Sequence, residues 1–222
     1  MATALIIGAS RGIGHELARQ YLADGWRVLA TARQPADRDA LAALGAQAHV
    51  LDVTDGAACA TLVATLAVAE LDVAILNAGV YGPRGDSVPD QADFDDVMHT
   101  NVLAAMRILP VLAPLVGAAR GKLAVLSSRM GSLSERDSAT GSLYRASKAA
   151  LNSVLLDTAI VHGPRGVTCV AFHPGWVRTA MGGAEAAIAV EDSAAGIRST
   201  LAHLPPSPQA AYRNYDGTAI GW

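Results

Sequence analysis

The chain has 222 residues, is 51% apolar and 17% charged, and carries a formal net charge of −3. That length and composition describe one globular domain with a substantial core and exclude a disordered chain. No basic block or acidic tail is present and aromatics make up only 5%, so no nucleic-acid or membrane-surface footprint is encoded.

Short apolar runs alternate with longer helical patterns along the whole chain. Strands are expected over 4–7, 27–31, 48–51, 73–76, 122–126, 167–172 and 211–215. Helices are expected over 12–24, 36–44, 56–69, 91–118, 144–162 and 191–204. Near-continuous apolar strands separated by helices imply a parallel sheet covered on both faces, a doubly wound α/β fold. No linker divides the chain, so residues 1–222 are expected to form a single domain. The N-terminal apolar stretch lacks a basic flank, and no signal peptide is expected. The most membrane-like segment, 102–119, is interrupted by Arg107, Pro110, Pro114 and Gly117. A spanning helix needs about 20 uninterrupted apolar residues, so a buried, bent helix and no membrane are expected. Cys59 and Cys169 sit in apolar surroundings without metal-ligand spacing, which suits reduced, buried thiols in a cytoplasmic protein.

The chemistry-bearing residues fall at strand ends. The first strand runs into Gly8-Ala9-Ser10-Arg11-Gly12-Ile13-Gly14 and then a helix. Such a turn lets backbone approach a pyrophosphate at a helix N-terminus, although glycine-rich turns also serve plain packing. Asp52-Val53 closes the third strand, Asn77-Ala78-Gly79 the fourth, and Ser127-Ser128-Arg129-Met130-Gly131 the fifth. Asn101 lies on the long helix expected over 91–118. In Tyr144-Arg145-Ala146-Ser147-Lys148, a helical conformation puts phenol and ammonium on one face. A nearby cation favours phenolate, so Lys148 is expected to bring the Tyr144 pKa down from about 10 toward neutrality. By itself the pair reads more readily as a helix-surface contact.

Taken in order, these motifs resemble the short-chain dehydrogenase/reductase family across essentially the whole chain, and within it the branch of C-factor and sniffer-type carbonyl reductases. The resemblance implies a Rossmann-type domain and a tetrad of Asn101, Ser128, Tyr144 and Lys148. Ser128 rather than Ser127 is the match, because the family's serine stands three residues before a glycine, here Gly131. Ser128 would polarise the substrate oxygen and Tyr144 would exchange a proton with it. Lys148 would serve both tyrosine and nicotinamide ribose, and Asn101 would support Lys148 through water. The family's Pro-Gly segment matches Pro174-Gly175, with Val177 and Thr179 near the nicotinamide. One departure is Ile7, where many members have threonine before the first glycine. The resemblance also implies a homodimer or homotetramer through the helices carrying Asn101 and Tyr144, a surface that Pro110 and Pro114 disturb.

The second strand ends without a carboxylate until Asp37, while Arg33 and Arg11 stand ready for a 2′-phosphate. An acidic residue there would favour the free ribose, so NADP(H) is expected over NAD(H). Gly8, Ser10, Arg11, Gly12, Ile13, Gly14, Arg33, Asp52, Val53, Asn77, Ala78, Gly79, Tyr144, Lys148, Pro174, Gly175, Val177 and Thr179 form the expected cofactor set. Asp52 reads either as an adenine contact or as a helix cap. His173 is a weaker candidate base, since tyrosine fills that role. The substrate, a small carbonyl or alcohol, would be walled by Tyr81 and Gly82, by 129–143 and by 176–187. Arg129, Arg136 and Arg178 are the candidate contacts for an anionic substrate. The expected function is NADP(H)-dependent carbonyl–alcohol interconversion; the alternative is a nicotinamide-binding signalling protein whose reductase activity is incidental.

Overall fold

The computed structural model describes residues 1–84 and 88–222. Seven parallel strands form one sheet in the order β3-β2-β1-β4-β5-β6-β7. In chain order the strands are β1 Thr3–Ile7, β2 Arg27–Ala32, β3 Gln47–Val50, β4 Val73–Leu76, β5 Lys122–Leu126, β6 Thr168–His173 and β7 Ala211–Asn214. The helices are α1 Gly12–Ala23, α2 Pro35–Ala43, α3 Gly56–Leu66, α4 Gln91–Met98, α5 Ala104–Ala118, α6 Ser142–His162 and α7 Val190–His203. The doubly wound reading therefore holds, and Asp52 and Val53 lie just beyond β3.

Alternation along the strands divides the core in two. Leu5, Ile7, Ala74, Leu76, Leu123 and Val125 meet α3, α5 and α6 on one face. Ala4, Ile6, Val73, Ile75, Ala124 and Leu126 meet α1, α2 and α7 on the other. Strands buried on both faces need apolar residues at every position, which explains the continuous runs in the sequence. Cys59 and Cys169 are free thiols inside the first of these layers.

The helix from Gln91 to Ala118 is the one helix among the described residues that is long and apolar enough to cross a membrane. Its apolar stripe, including Ile108, Leu109, Leu112 and Val116, is buried against the sheet instead. A π turn at His99–Leu103 joins α4 to α5, whereas Pro110 and Pro114 lie inside α5.

The carboxyl ends of β1 and β4 are locked together. Asn77 Nδ2 donates to the Gly8 carbonyl at 2.6 Å, and the backbone N–H groups of Asn77 and Ala78 both reach the Ile7 carbonyl at 3.0 Å. Ile7 brings no hydroxyl to this turn; Thr31 on β2 supplies one, its Oγ1 accepting from Gly8 N–H at 3.1 Å. Asn77→Ala should leave the Gly8 carbonyl without its side-chain donor. Unfolding free energy from urea titration is expected to fall by about 1–3 kcal/mol.

Candidate active site

Tyr144 and Lys148 occupy successive turns at the start of α6, and both are buried. The helix opens two residues earlier than expected, after Gly141 in the left-handed region. Lys148 Nζ donates to the Leu126 carbonyl at 2.8 Å and lies 5.5 Å from the centre of the Tyr144 ring. Ser128, in extended conformation at the end of β5, opens the short 3-10 turn Arg129–Gly131. Its Oγ accepts from Met130 N–H at 3.2 Å, and its hydroxyl lies against the Tyr144 phenol. A serine hydroxyl has one proton and two lone pairs. With the Met130 N–H on a lone pair, the Ser128 proton remains available to donate into the site.

Two glycines explain how these groups meet. A Cβ on Gly131 would stand 2.8 Å from the Lys148 backbone carbon, so only glycine lets the serine turn rest directly on α6. A Cβ on Gly79 would stand 3.1 Å from Asn101 Oδ1 and 3.3 Å from Lys148 Nζ. Gly79 thus leaves room for amide and ammonium together at the end of β4.

Asn101 sits in the π turn and is buried. Its Oδ1 accepts from Val80 N–H at 2.9 Å, while Nδ2 donates to the Val80 carbonyl at 2.8 Å and to Ser147 Oγ at 3.0 Å. It therefore ties the segment after β4 to α6. A π turn widens the helical backbone and recurs at functional positions.

The electrostatics correct one expectation. Burial pushes the Tyr144 phenol well above its ordinary range, with Ser128 opposing that rise. Lys148 does not lower it here; burial instead brings Lys148 itself down to about 8. Phenol and ammonium are each desolvated, and the lysine's direct partner is a backbone carbonyl. His173 is brought down to about 4 by burial and the nearby Arg129. That keeps it neutral and a weak base near pH 7.

At the β1 end, α1 begins without a side-chain cap and without acidic residues in its first turn. By contrast, Asp55 and Asp90 cap α3 and α4. The uncapped N–H groups and positive helix end suit an anion. Gly8 and Gly12 adopt positive φ, and a Cβ on Gly12 would come within 3.3 Å of Thr179 Cγ2. This is a cradle that side chains would fill, and its donor set fits a dinucleotide pyrophosphate. Ser10 precedes α1, Ile13 lies in its first turn, and Arg11 and Arg33 are exposed. Asp52 Oδ1 accepts from Thr54 N and Oγ1 at 2.9 and 2.7 Å, whereas Asp55 caps α3. The helix-cap reading of Asp52 is thereby corrected to a local turn.

The loop after β6 closes on itself. Arg178 N–H bonds the Ile188 carbonyl, and its guanidinium holds the Ala186 and Ala187 carbonyls at 3.1 Å each. Arg178 is thus a structural tie rather than a free anion contact. Trp176 is 56% exposed, its indole N–H bound to the Gly182 carbonyl. Val177 is buried, Gly175 has positive φ, and Thr179 Oγ1 accepts from Gly182 N–H at 3.1 Å. The Pro174 carbonyl accepts from Ser193 Oγ at 2.7 Å. Arg129 faces Glu135 at 3.8 Å, and Arg136 is exposed.

Two features escaped the sequence reading. Tyr81, expected only as a wall, stacks on Tyr144 with ring centres 4.5 Å apart and planes 24° apart. Tyr212, which carried no motif, donates its hydroxyl to the Ser128 carbonyl. Neither contact has a fixed sequence spacing that would reveal it. Two surface cavities of about 300 and 560 Å³ are lined by neither Ser128 nor Tyr144; they border the strand starts, away from this chemistry.

The chain is similar to known proteins in sequence and in fold. The short chain dehydrogenase family profile matches residues 2–188. C-signal of Myxococcus xanthus is 36% identical over 156 residues, covering 68% of this chain and 93% of that protein. A short-chain dehydrogenase/reductase from Burkholderia multivorans, crystallised with bound NADP, is 33% identical and superposes with a TM-score of 0.92 over 100% of this chain and 99% of its own. Carbonyl reductase Sniffer of D. melanogaster is 26% identical, with a TM-score of 0.90 over 100% of both chains. With its seven-stranded parallel sheet and glycine-rich first turn, the chain belongs to the short-chain dehydrogenase/reductase family, and is of the C-factor/carbonyl reductase type.

Proposed function

We propose that the chain is one nucleotide-binding domain that interconverts a ketone or aldehyde with an alcohol, using NADP(H) and Tyr144 as general acid/base. The observation that carries this reading is the Ser128 hydroxyl against the buried Tyr144 phenol, its oxygen already engaged by Met130 N–H. NADP is bound in the related Burkholderia multivorans structure. The turn Gly8–Gly14 would hold the pyrophosphate, Asp52 and Val53 the adenine, and Asn77, Ala78 and Gly79 the adjoining ribose face. Pro174, Gly175, Val177 and Thr179 would hold the nicotinamide end. When bound, the cofactor supplies or accepts a hydride.

Ser128 donates a hydrogen bond to the substrate oxygen, which polarises the carbonyl and fixes its distance from Tyr144. Tyr144 gives that oxygen its proton in reduction and takes it back in oxidation. Lys148, already desolvated, stabilises negative charge as the phenol gives up its proton. Such stabilisation is stronger in a dry site than in water. Asn101 holds the loop after β4 and the start of α6 in register. Tyr144→Phe should lower kcat for NADPH-dependent carbonyl reduction by a factor of roughly 10²–10⁴ while leaving NADPH binding intact. Assays across a carbonyl panel test this. NADPH binding without turnover of any carbonyl would favour the alternative of a signalling role, to which the likeness to C-signal points.

Arg11 and Arg33 are exposed, and Arg33 directly follows β2, which ends without a carboxylate. They would clamp a 2′-phosphate by charge-assisted hydrogen bonds. Replacing both by alanine should raise the apparent KM for NADPH by roughly tenfold or more and change that for NADH little. An equal effect on both cofactors would remove the NADP preference.

Lys148 also makes a pH-dependent stability signature. Its pKa is lowered by burial to about 8 from an ordinary 10.5. Between those values the unfolded chain binds more protons, so this group makes stability rise with pH across that window. The full difference corresponds to about 3 kcal/mol. Lys148→Met removes the slope. Its stability relative to wild type should therefore decline as pH rises from about 8 to about 10.5, as read by urea denaturation at several pH values.

A further inference from the structure

The far edge of the sheet reaches into the site. Tyr212 on β7 pairs with Ala171 of β6 and is 3% exposed. Its hydroxyl donates to the Ser128 carbonyl, which also accepts from Gly131 N–H at 2.7 Å. Both lone pairs of that carbonyl are therefore engaged. Ser127 Oγ donates to Asn152 Oδ1 at 2.6 Å, and both side chains lie against the Tyr212 oxygen. Asn152 stands one helical turn beyond Lys148 on α6, so this buried cluster touches β5, β7 and α6 at once.

The chain then doubles back on β7. Asn214 N–H bonds the Thr218 carbonyl at 2.8 Å, and Ile220 N–H bonds the Tyr212 carbonyl at 3.0 Å. Trp222 packs on Tyr212 with ring centres 5.1 Å apart. The returning segment grips the loop beyond Ser128. Ser132 Oγ donates to the Gly221 carbonyl at 2.6 Å, Gly221 N–H to Glu135 Oε1 at 2.6 Å, and Ser134 N–H to the Trp222 carbonyl at 2.9 Å.

We propose that Tyr212 is a positioning residue: by holding the Ser128 carbonyl it fixes the turn whose Met130 N–H keeps the Ser128 hydroxyl a donor toward the Tyr144 phenol. This rests on the roles given above to Ser128 and Tyr144. Without the Tyr212 hydroxyl the carbonyl keeps only Gly131 N–H, a donor within the same turn, so the turn can rotate as a unit and Ser128 Oγ loses the fixed geometry that directs its proton into the site. Tyr144 and Lys148 are carried on α6, whereas Ser128 stands at the head of a short 3-10 turn. The remote strand compensates for that weaker local support.

Tyr212→Phe removes one hydroxyl and keeps the ring against Trp222. In the full chain with NADPH and a carbonyl that wild type reduces, kcat is expected to fall about tenfold, with NADPH binding within about twofold of wild type. In a Ser128→Ala background the same change should cost nothing further, because Tyr212 acts through Ser128. An unchanged kcat, or the same loss with and without the Ser128 hydroxyl, overturns the proposal.

Amide hydrogen exchange provides the readout independent of activity. Tyr212→Phe should accelerate exchange at Met130 and Gly131 while leaving the β6 amides unchanged; equal protection in both proteins overturns the proposal. If wild type reduces no carbonyl, the catalytic reading fails separately and the exchange result still decides whether Tyr212 holds the turn. If Tyr212→Phe does not fold, wild type alone is measured. Met130 and Gly131 should then be protected to the level of the β7 amides, and protection far below it overturns the proposal.

Discussion

An ammonium group held out of water organises the centre of this protein. Lys148 Nζ is enclosed between α6, the end of β5 and the segment after β4, and its direct hydrogen bond is to the Leu126 carbonyl. Burying a cation is costly unless oxygen atoms and nearby dipoles replace its hydration. Close backbone approach is what makes the enclosure possible. Gly79 leaves space beside the ammonium, and Gly131 lets the serine turn rest on the Lys148 backbone. A side chain at either position would push apart the elements that carry the chemistry.

The same packing links the glycine-rich turn to the start of α6. Asn77 fixes the β4 end to the glycine-rich turn, and Asn101 fixes the next residues of that segment to α6. A displacement of the cradle would therefore be felt at Lys148 and Tyr144. Catalytic groups gain most when their geometry is set before the substrate arrives, because no reorganisation remains for the reaction itself. The polar cluster behind Ser128 extends this support to the edge of the sheet through Tyr212, Ser127 and Asn152.

Burial acts oppositely on the two central ionisable groups. It raises the Tyr144 phenol and lowers Lys148, because each charged form loses water. The expectation of a phenol lowered by its neighbouring lysine came from helix spacing, which sets proximity alone. Desolvation depends on what covers the helix, namely Tyr81, the Ser128 turn and the β4 segment, and none of these is adjacent in sequence. Stability is given up at this site, because each group is held away from the water that its charged form prefers.

The sequence by itself determined the order of strands and helices, because apolar periodicity and glycine placement are local properties. It also determined which residue types stand at the strand ends, Asn77 and Ser128, and which stand four apart on a helix, Tyr144 and Lys148. Only the tertiary structure decided what those residues touch. The π turn at His99–Leu103, the stacking of Tyr81 on Tyr144 and the reach of Tyr212 to Ser128 join segments distant in the chain. Arg178 turned from a candidate substrate contact into a tie within its own loop because the Ala186 and Ala187 carbonyls fold back onto it. Long-range contacts and desolvation are set by three-dimensional packing, and no fixed residue spacing encodes them.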